Sequence, residues 1–131
     1  MKKVFICTPY RGDIEKNKDL AKKISRMAAV CEYVPVAPQL MFPEFLNDND
    51  PQQRIAELVL GAELLKVCDM LWIIGNEITK GMRYMIDAAK EAGIPIRLYD
   101  TDCNRINGKT LSIDDRVGPE VLDVLKGAKL E

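Results

Sequence analysis

The chain has 131 residues, 47% hydrophobic and 30% charged, with 8 Gly and 7 Pro, the composition of one ordinary globular domain spanning 1–131. Nineteen basic residues against 20 acidic ones leave a net charge of −1, which excludes the basic footprint of a nucleic-acid binder or of a membrane-surface protein. Histidine is absent, so Ser-His-Asp and Cys-His machinery is excluded and a catalytic zinc would lack its usual ligand.

Taken in chain order, the first expected element is a strand over Val4 to Thr8, ending in the turn Pro9-Tyr10-Arg11-Gly12. A helix follows from about Ile14 to Cys31, its apolar face carried by Leu20, Ile24, Met27 and Ala28 at helical spacing. Tyr33-Val34-Pro35-Val36 reads as a short strand, which Pro35 consigns to a sheet edge. Residues 37–50 form a long connection with two phenylalanines and an Asn-rich acidic end, the kind of segment that serves as a lid or an oligomer contact. Asp50-Pro51 places a capping carboxylate before a proline at the first helical position, and the helix it opens is expected to run to about Val67. Its apolar positions are Ile55, Leu58, Val59, Ala62 and Leu65.

Met70 to Ile74 is a continuous apolar run of strand length, as in a parallel strand covered on both faces. Thr79 caps a third helix that Gly93 stops near Ala92, and Ile94 to Tyr99 is a fourth strand. The core therefore spans about 3–99, with a C-terminal extension over about 100–131. In that extension Asn107-Gly108 signals a hairpin turn, Leu111 to Ile113 a short strand and Pro119 to Lys126 a helix. Strands alternating with helices over short loops imply an α/β fold, a doubly wound parallel sheet of four to five strands with helices on both faces, flavodoxin-like and Rossmannoid. With strand order 2-1-3-4, a ligand is expected at the switch point between the first and third strands, where Cys7–Gly12 and Gly75–Gly81 face one another.

The four cysteines, Cys7, Cys31, Cys68 and Cys103, contain no C-x-x-C pair, so no thioredoxin-type motif or zinc ribbon is supported. Met1-Lys2-Lys3 precedes an apolar run too short for a signal peptide, and no stretch approaches the length of a membrane span. A cytoplasmic protein with reduced thiols is the expectation.

At the switch point, Thr8, Pro9, Tyr10, Arg11 and Gly12 offer a phenol, a guanidinium and flexible backbone amides, a set suited to a phosphate or carboxylate beside a planar ring. The same residues also suit a plain tight turn. Gly75 and Asn76 follow the third strand, and Lys80, Gly81 and Met82 open the third helix, where free amides carry partial positive charge and Gly81 admits a ligand close to the backbone. Glu77 and Glu63 are candidate general bases or nucleophiles, although surface carboxylates are more often only solvated. Met82 and Met85 follow helical spacing and read as core. Gly108-Lys109-Thr110 lacks the upstream glycine of a P-loop, and Asp48-Asn49-Asp50 lacks the glycine and distal Glu of a calcium loop. No cofactor and no metal are expected.

Three segments together, Val4 to Gly12, Ala37-Pro38 to Leu46, and Gly61 to Gly75 leading to Lys80-Gly81-Met82, resemble a bacterial and phage branch of the nucleoside 2-deoxyribosyltransferase-like superfamily. The resemblance covers roughly residues 3–99. It implies a flavodoxin-like fold, a homo-oligomer and a nucleoside or nucleotide partner. In the transferases a Glu on the helix after the third strand attacks the anomeric carbon of the sugar and holds it as a glycosyl ester. Carried over, Tyr10 falls in the substrate-binding first turn and Gly81 in the glycine loop. The place of the nucleophile, four residues on, is Met85, and that of an Asp on the preceding helix is Gly61. A thioether can neither form the ester nor accept a proton.

Three readings follow. The first is a nucleoside- or nucleotide-binding domain that keeps the pocket without the transferase chemistry. The second is an N-glycoside transferase or hydrolase with relocated carboxylates, for which Glu77 or Glu63 is the expected base. The third is a homo-oligomeric interaction module with no ligand, using residues 37–50.

Overall fold

The computed structural model describes residues 1–131. Five strands, β1 (Lys3–Cys7), β2 (Val34–Val36), β3 (Met70–Ile74), β4 (Ile96–Tyr99) and β5 (Arg105–Ile106), form one sheet in the order β2-β1-β3-β4-β5. The first four are parallel, with Val4 opposite Met70 and Leu71 opposite Ile96. Pro35 does lie on the edge strand β2. β5 is antiparallel to β4, because the link between Tyr99 and Arg105 is too short to cross over and must turn back.

Alternation along the strands divides the core. Phe5, Cys7, Leu71, Ile73, Ile96 and Leu98 face α3 (Pro51–Lys66), α4 (Lys80–Ala92) and α5 (Pro119–Val124). Val4, Ile6, Met70, Trp72, Ile74 and Tyr99 face the other way, onto Ile24 and Ala28 of α1 (Ile14–Val30). The helices are stopped as their end residues suggest. Asp13, Asp50 and Thr79 accept from backbone amides of the first turns of α1, α3 and α4, and Gly93 ends α4 in the left-handed conformation.

Four local expectations are corrected. The 37–50 connection is not open chain but contains a four-residue helix, α2 (Pro38–Met41), and a 3-10 turn at Phe42–Glu44, which bury Pro38 and Phe42. The reversal between β4 and β5 uses Asp100–Asn104, where Asp100 Oδ1 accepts from the amides of Asp102 and Asn104, both 2.9 Å; it does not use Asn107-Gly108. Leu111–Ile113 forms a 3-10 turn that buries Leu111. Finally, α3 exposes Ile55 and Val59, two of its expected apolar core positions, because only the Gly61 and Leu65 side of that helix is buried.

Candidate functional site

A cleft of about 460 Å³ opens at the carboxyl end of β1, on the α3/α4 side of the sheet. Its floor is the end of β1. One wall is α2 with the following turn, and the other is formed by the first turns of α3 and α4. Both helices run back along parallel strands, so their amino ends lie together at this edge. The wall from 37–50 is pinned to the strand by Gln39. Its side-chain amide, oriented to satisfy both groups, donates to the Ile6 carbonyl and accepts from the Thr8 amide, each at 3.1 Å.

Among the residues expected at the site, Thr8, Tyr10, Arg11, Lys80, Gly81, Met82 and Met85 line this cleft. Pro9, Gly12, Gly75 and Asn76 do not. Gly12, at φ +96°, turns the chain into α1, a conformation that costs a side-chain-bearing residue. Gly75 donates to the Tyr99 carbonyl, and Asn76 accepts the Gly118 amide at 2.8 Å, so this half of the loop serves the C-terminal extension.

Both candidate bases also lie outside the cleft. Glu77 is exposed on the far half of that loop, and Glu63 is exposed and paired with Lys66 at 3.0 Å. The reason is helical phase: Gly61 faces the cleft, and two further residues rotate the chain by about 200°. Asp69, another carboxylate near a strand start, accepts the Lys3 amide at 2.7 Å and holds the beginning of β1.

The carboxylates that do reach the cleft region are Glu57 and Asp48. Glu57 lies four residues before Gly61 and so shares its face of α3; its side chain is nine-tenths buried. Arg54 precedes it by three residues and also lines the cleft. Asp48, at the end of the 37–50 segment, accepts from Arg11 Nε at 2.8 Å and from Arg54 Nη1 at 3.2 Å. Arg54 Nη1 reaches Glu57 Oε2 at only 3.4 Å, and the Glu57 carboxyl shares a hydrogen bond with that of Asp48.

Burial and the adjacent Asp48 push the Glu57 carboxyl above its ordinary value, with Arg54 opposing. Burial would raise Asp48 too, but its bonds to Arg11 and Glu57 and the charge of Arg54 outweigh that and hold it low. The two carboxyls are thus shifted in opposite directions, Glu57 up and Asp48 down. The Tyr10 phenol is also raised, first by burial, with Asp48 and Glu57 adding to it. Cys7, at the floor, is pushed by burial to about 12 and stays a thiol.

Arg54, Asp48 and Glu57 are not singled out by the sequence, because each reads as ordinary helix or loop charge. The available signal is their phase, since 54, 57 and 61 fall on one helical face.

Met85 and Gly61 meet across α3 and α4. A Cβ added at Gly61 would stand 2.7 Å from the Met85 Cε, so the methionine occupies the room the glycine leaves. Gly81 gives room in the same way a turn earlier on α4, where an added Cβ would stand 2.8 Å from Arg54 Nη2.

The fold is shared with solved structures. A 2-deoxyribosyltransferase from the psychrotolerant bacterium Bacillus psychrosaccharolyticus superposes with a TM-score of 0.63 at 16% identity, over 93% of this chain and 89% of that one. A conserved protein from Enterococcus faecalis V583 superposes with a TM-score of 0.58, also at 16% identity, over 99% of this chain and 89% of that one. No curated protein matches the sequence significantly. Residues 2–99, which hold the parallel region of the sheet and the cleft, match the model of the family described as Domain of unknown function (DUF7768), and the chain belongs to that family.

Proposed function

We propose that the cleft binds a nucleoside or nucleotide and that the chain does not form the glycosyl ester of the transferases it resembles. The observation that carries this reading is the composition of the cleft: two phenols, two guanidiniums and the amino end of α4 around an apolar floor, with Met85 lining it where the resemblance implies the nucleophile. Its volume lies within the usual range for small-molecule pockets. Tyr10 offers a ring for a base to stack on, and Lys80 with the free amides of α4 offers a seat for a phosphate.

Thermal melting with nucleosides, nucleoside monophosphates and sugar phosphates tests the reading. A true ligand at one hundred times its Kd stabilises the fold by about 2.7 kcal/mol. Monophosphates are expected to shift the melt more than nucleosides, and a panel with no effect at all removes the proposal.

The homo-oligomer belongs to the same reading. Ile55 and Val59, 61% and 49% exposed one turn apart on α3, offer an apolar contact for a second copy, and sedimentation as a monomer removes this part of the reading. All four cysteines are free, which suits a reducing cytoplasm; no helix is long and apolar enough to cross a membrane.

A further inference from the structure

Gly118 precedes α5 with φ −83° and ψ 166°, angles open to any residue, so its backbone conformation does not call for glycine. Its surroundings do. A Cβ built there would stand 3.1 Å from Asn76 Nδ2, tighter than ordinary van der Waals contact. The missing side chain brings the C-terminal extension close enough to the loop between β3 and α4 for the Gly118 amide to donate to Asn76 Oδ1 at 2.8 Å. The two residues are 42 positions apart. Their contact joins the extension, which lies beyond the family match at residue 99, to the segment that opens α4.

The loop is short, and Asn76 stands just ahead of Thr79, the residue that caps α4. The Thr79 hydroxyl accepts the Met82 amide at 3.2 Å and its carbonyl accepts the Arg83 amide at 2.9 Å. The amides of Lys80 and Gly81 are left as the free donors of the first turn, and both residues line the cleft. Behind them, Gly75 is fastened to the Tyr99 carbonyl, Ile78 packs against the core and Asn76 is fastened to Gly118. Asn76 itself does not line the cleft, so any effect it has there passes through the loop. The Tyr10 turn is held separately, by Asn17 Nδ2 on the Tyr10 and Arg11 carbonyls at 3.2 and 3.1 Å.

We infer that Asn76 is a positioning residue through which the C-terminal extension sets the preference of the cleft for phosphorylated ligands, an inference that rests on the ligand class proposed above. Hydrogen bonds to a phosphate weaken steeply with distance and angle, so the seat at Lys80 and Gly81 is sensitive to a small displacement of the loop. Stacking of a base on Tyr10 depends on a different segment and does not feel that displacement. The two halves of a nucleotide are thus under separate control, the base through α1 and the phosphate through the extension.

The experiment measures, by titration calorimetry on the full chain, the Kd of adenosine, 2-deoxyadenosine, uridine and thymidine and of their 5-monophosphates. Wild type is expected to bind a monophosphate at least about tenfold tighter than its nucleoside, the worth of one charge-assisted hydrogen bond. Asn76→Ala removes the acceptor, and Gly118→Ala presses a methyl against it. Each is expected to cut the preference for the monophosphate at least about fivefold while the Kd of the nucleoside stays within about twofold of wild type. Gly118→Ala leaves every polar group in place, and it serves if Asn76→Ala does not fold.

A preference unchanged in both variants overturns this inference and leaves the binding reading standing. So does a loss of nucleoside and monophosphate affinity in equal measure, the mark of a merely structural role. A wild type that binds nucleoside and monophosphate alike also overturns it, since no phosphate seat is then held in place. A panel in which nothing binds overturns both.

Discussion

A Cβ built on Gly61 lies 2.7 Å from the Met85 Cε, the mobile end of a flexible side chain, so an alanine there moves the methionine and not the backbone. Gly61 sits inside a helix, where alanine is favoured over glycine by about 1 kcal/mol. These two effects oppose each other in stability, while in the cleft the displaced methionine alters the lining, because Met85 borders it. Gly61→Ala is expected to melt within about 1 kcal/mol of wild type while its nucleotide-induced shift falls sharply; equal shifts in the two proteins would mean that Met85 does not border the ligand. The part of the cleft lining at strand ends and helix starts can be anticipated because these are marked locally, by Tyr10-Arg11 after an apolar run and by Thr79 before a periodic one. Glu57 is not legible in this way. Nothing local separates it from Glu63, and only the phase relative to Gly61 tells which of the two turns inward.

At the scale of elements, α3 is the piece on which the site depends, since it presents Arg54, Glu57 and Gly61 to the cleft from its first three turns. Asp50 fastens its amino end, accepting from the Gln52 amide at 3.0 Å and from Gln53 Nε2 at 2.9 Å. Removing such a cap costs about 1 kcal/mol. Asp50→Ala is expected to lower the melt by that amount and, by fraying the turn that holds Arg54, to weaken nucleotide binding more than surface changes far from α3 do; titration calorimetry against wild type measures it. The cap and the four parallel strands can be read from the sequence, because caps and apolar runs are local signals. The 37–50 wall cannot, since its order comes from distant partners, Gln39 on β1 and Asp48 on Arg11 and Arg54. The hairpin at Asp100–Asn104 escapes for the same reason: Asn107-Gly108 is the stronger local signal, but the β4 edge pairs with Arg105 and Ile106 before it.

Across the whole molecule, the family match stops at residue 99 while the core does not. Ile106, Leu111, Val121, Val124 and Leu125 are buried with the strands and α4, and the chain end returns to β4, where Ile96 donates to the Lys129 carbonyl at 2.7 Å and Arg97 meets Glu131 at 2.9 Å. The extension thus closes the sheet edge that β4 would otherwise leave open. A polar clasp holds its middle: Arg116 bonds Asp100 at 2.8 Å and Asp114 at 2.7 Å. Asp114 is drawn from 3.8 to about 2, chiefly by its bonds to Arg116, and Asp100 is lowered as well, its burial outweighed by backbone amides and Arg116. Carboxyls depressed in the fold add stability that is fully present above their ordinary value and is lost as pH falls through the folded one. The clasp is therefore intact at neutral pH and disappears between about pH 4 and about pH 2. Arg116→Gln removes the partner and lets both carboxyls return toward ordinary values. It is expected to melt below wild type at pH 7, with the gap narrowing as pH falls through that window. Melting curves of the two proteins at a series of pH values measure this. A gap that stays constant down to pH 2 would show that the ion pairs add nothing and that Arg116 acts through its packing alone.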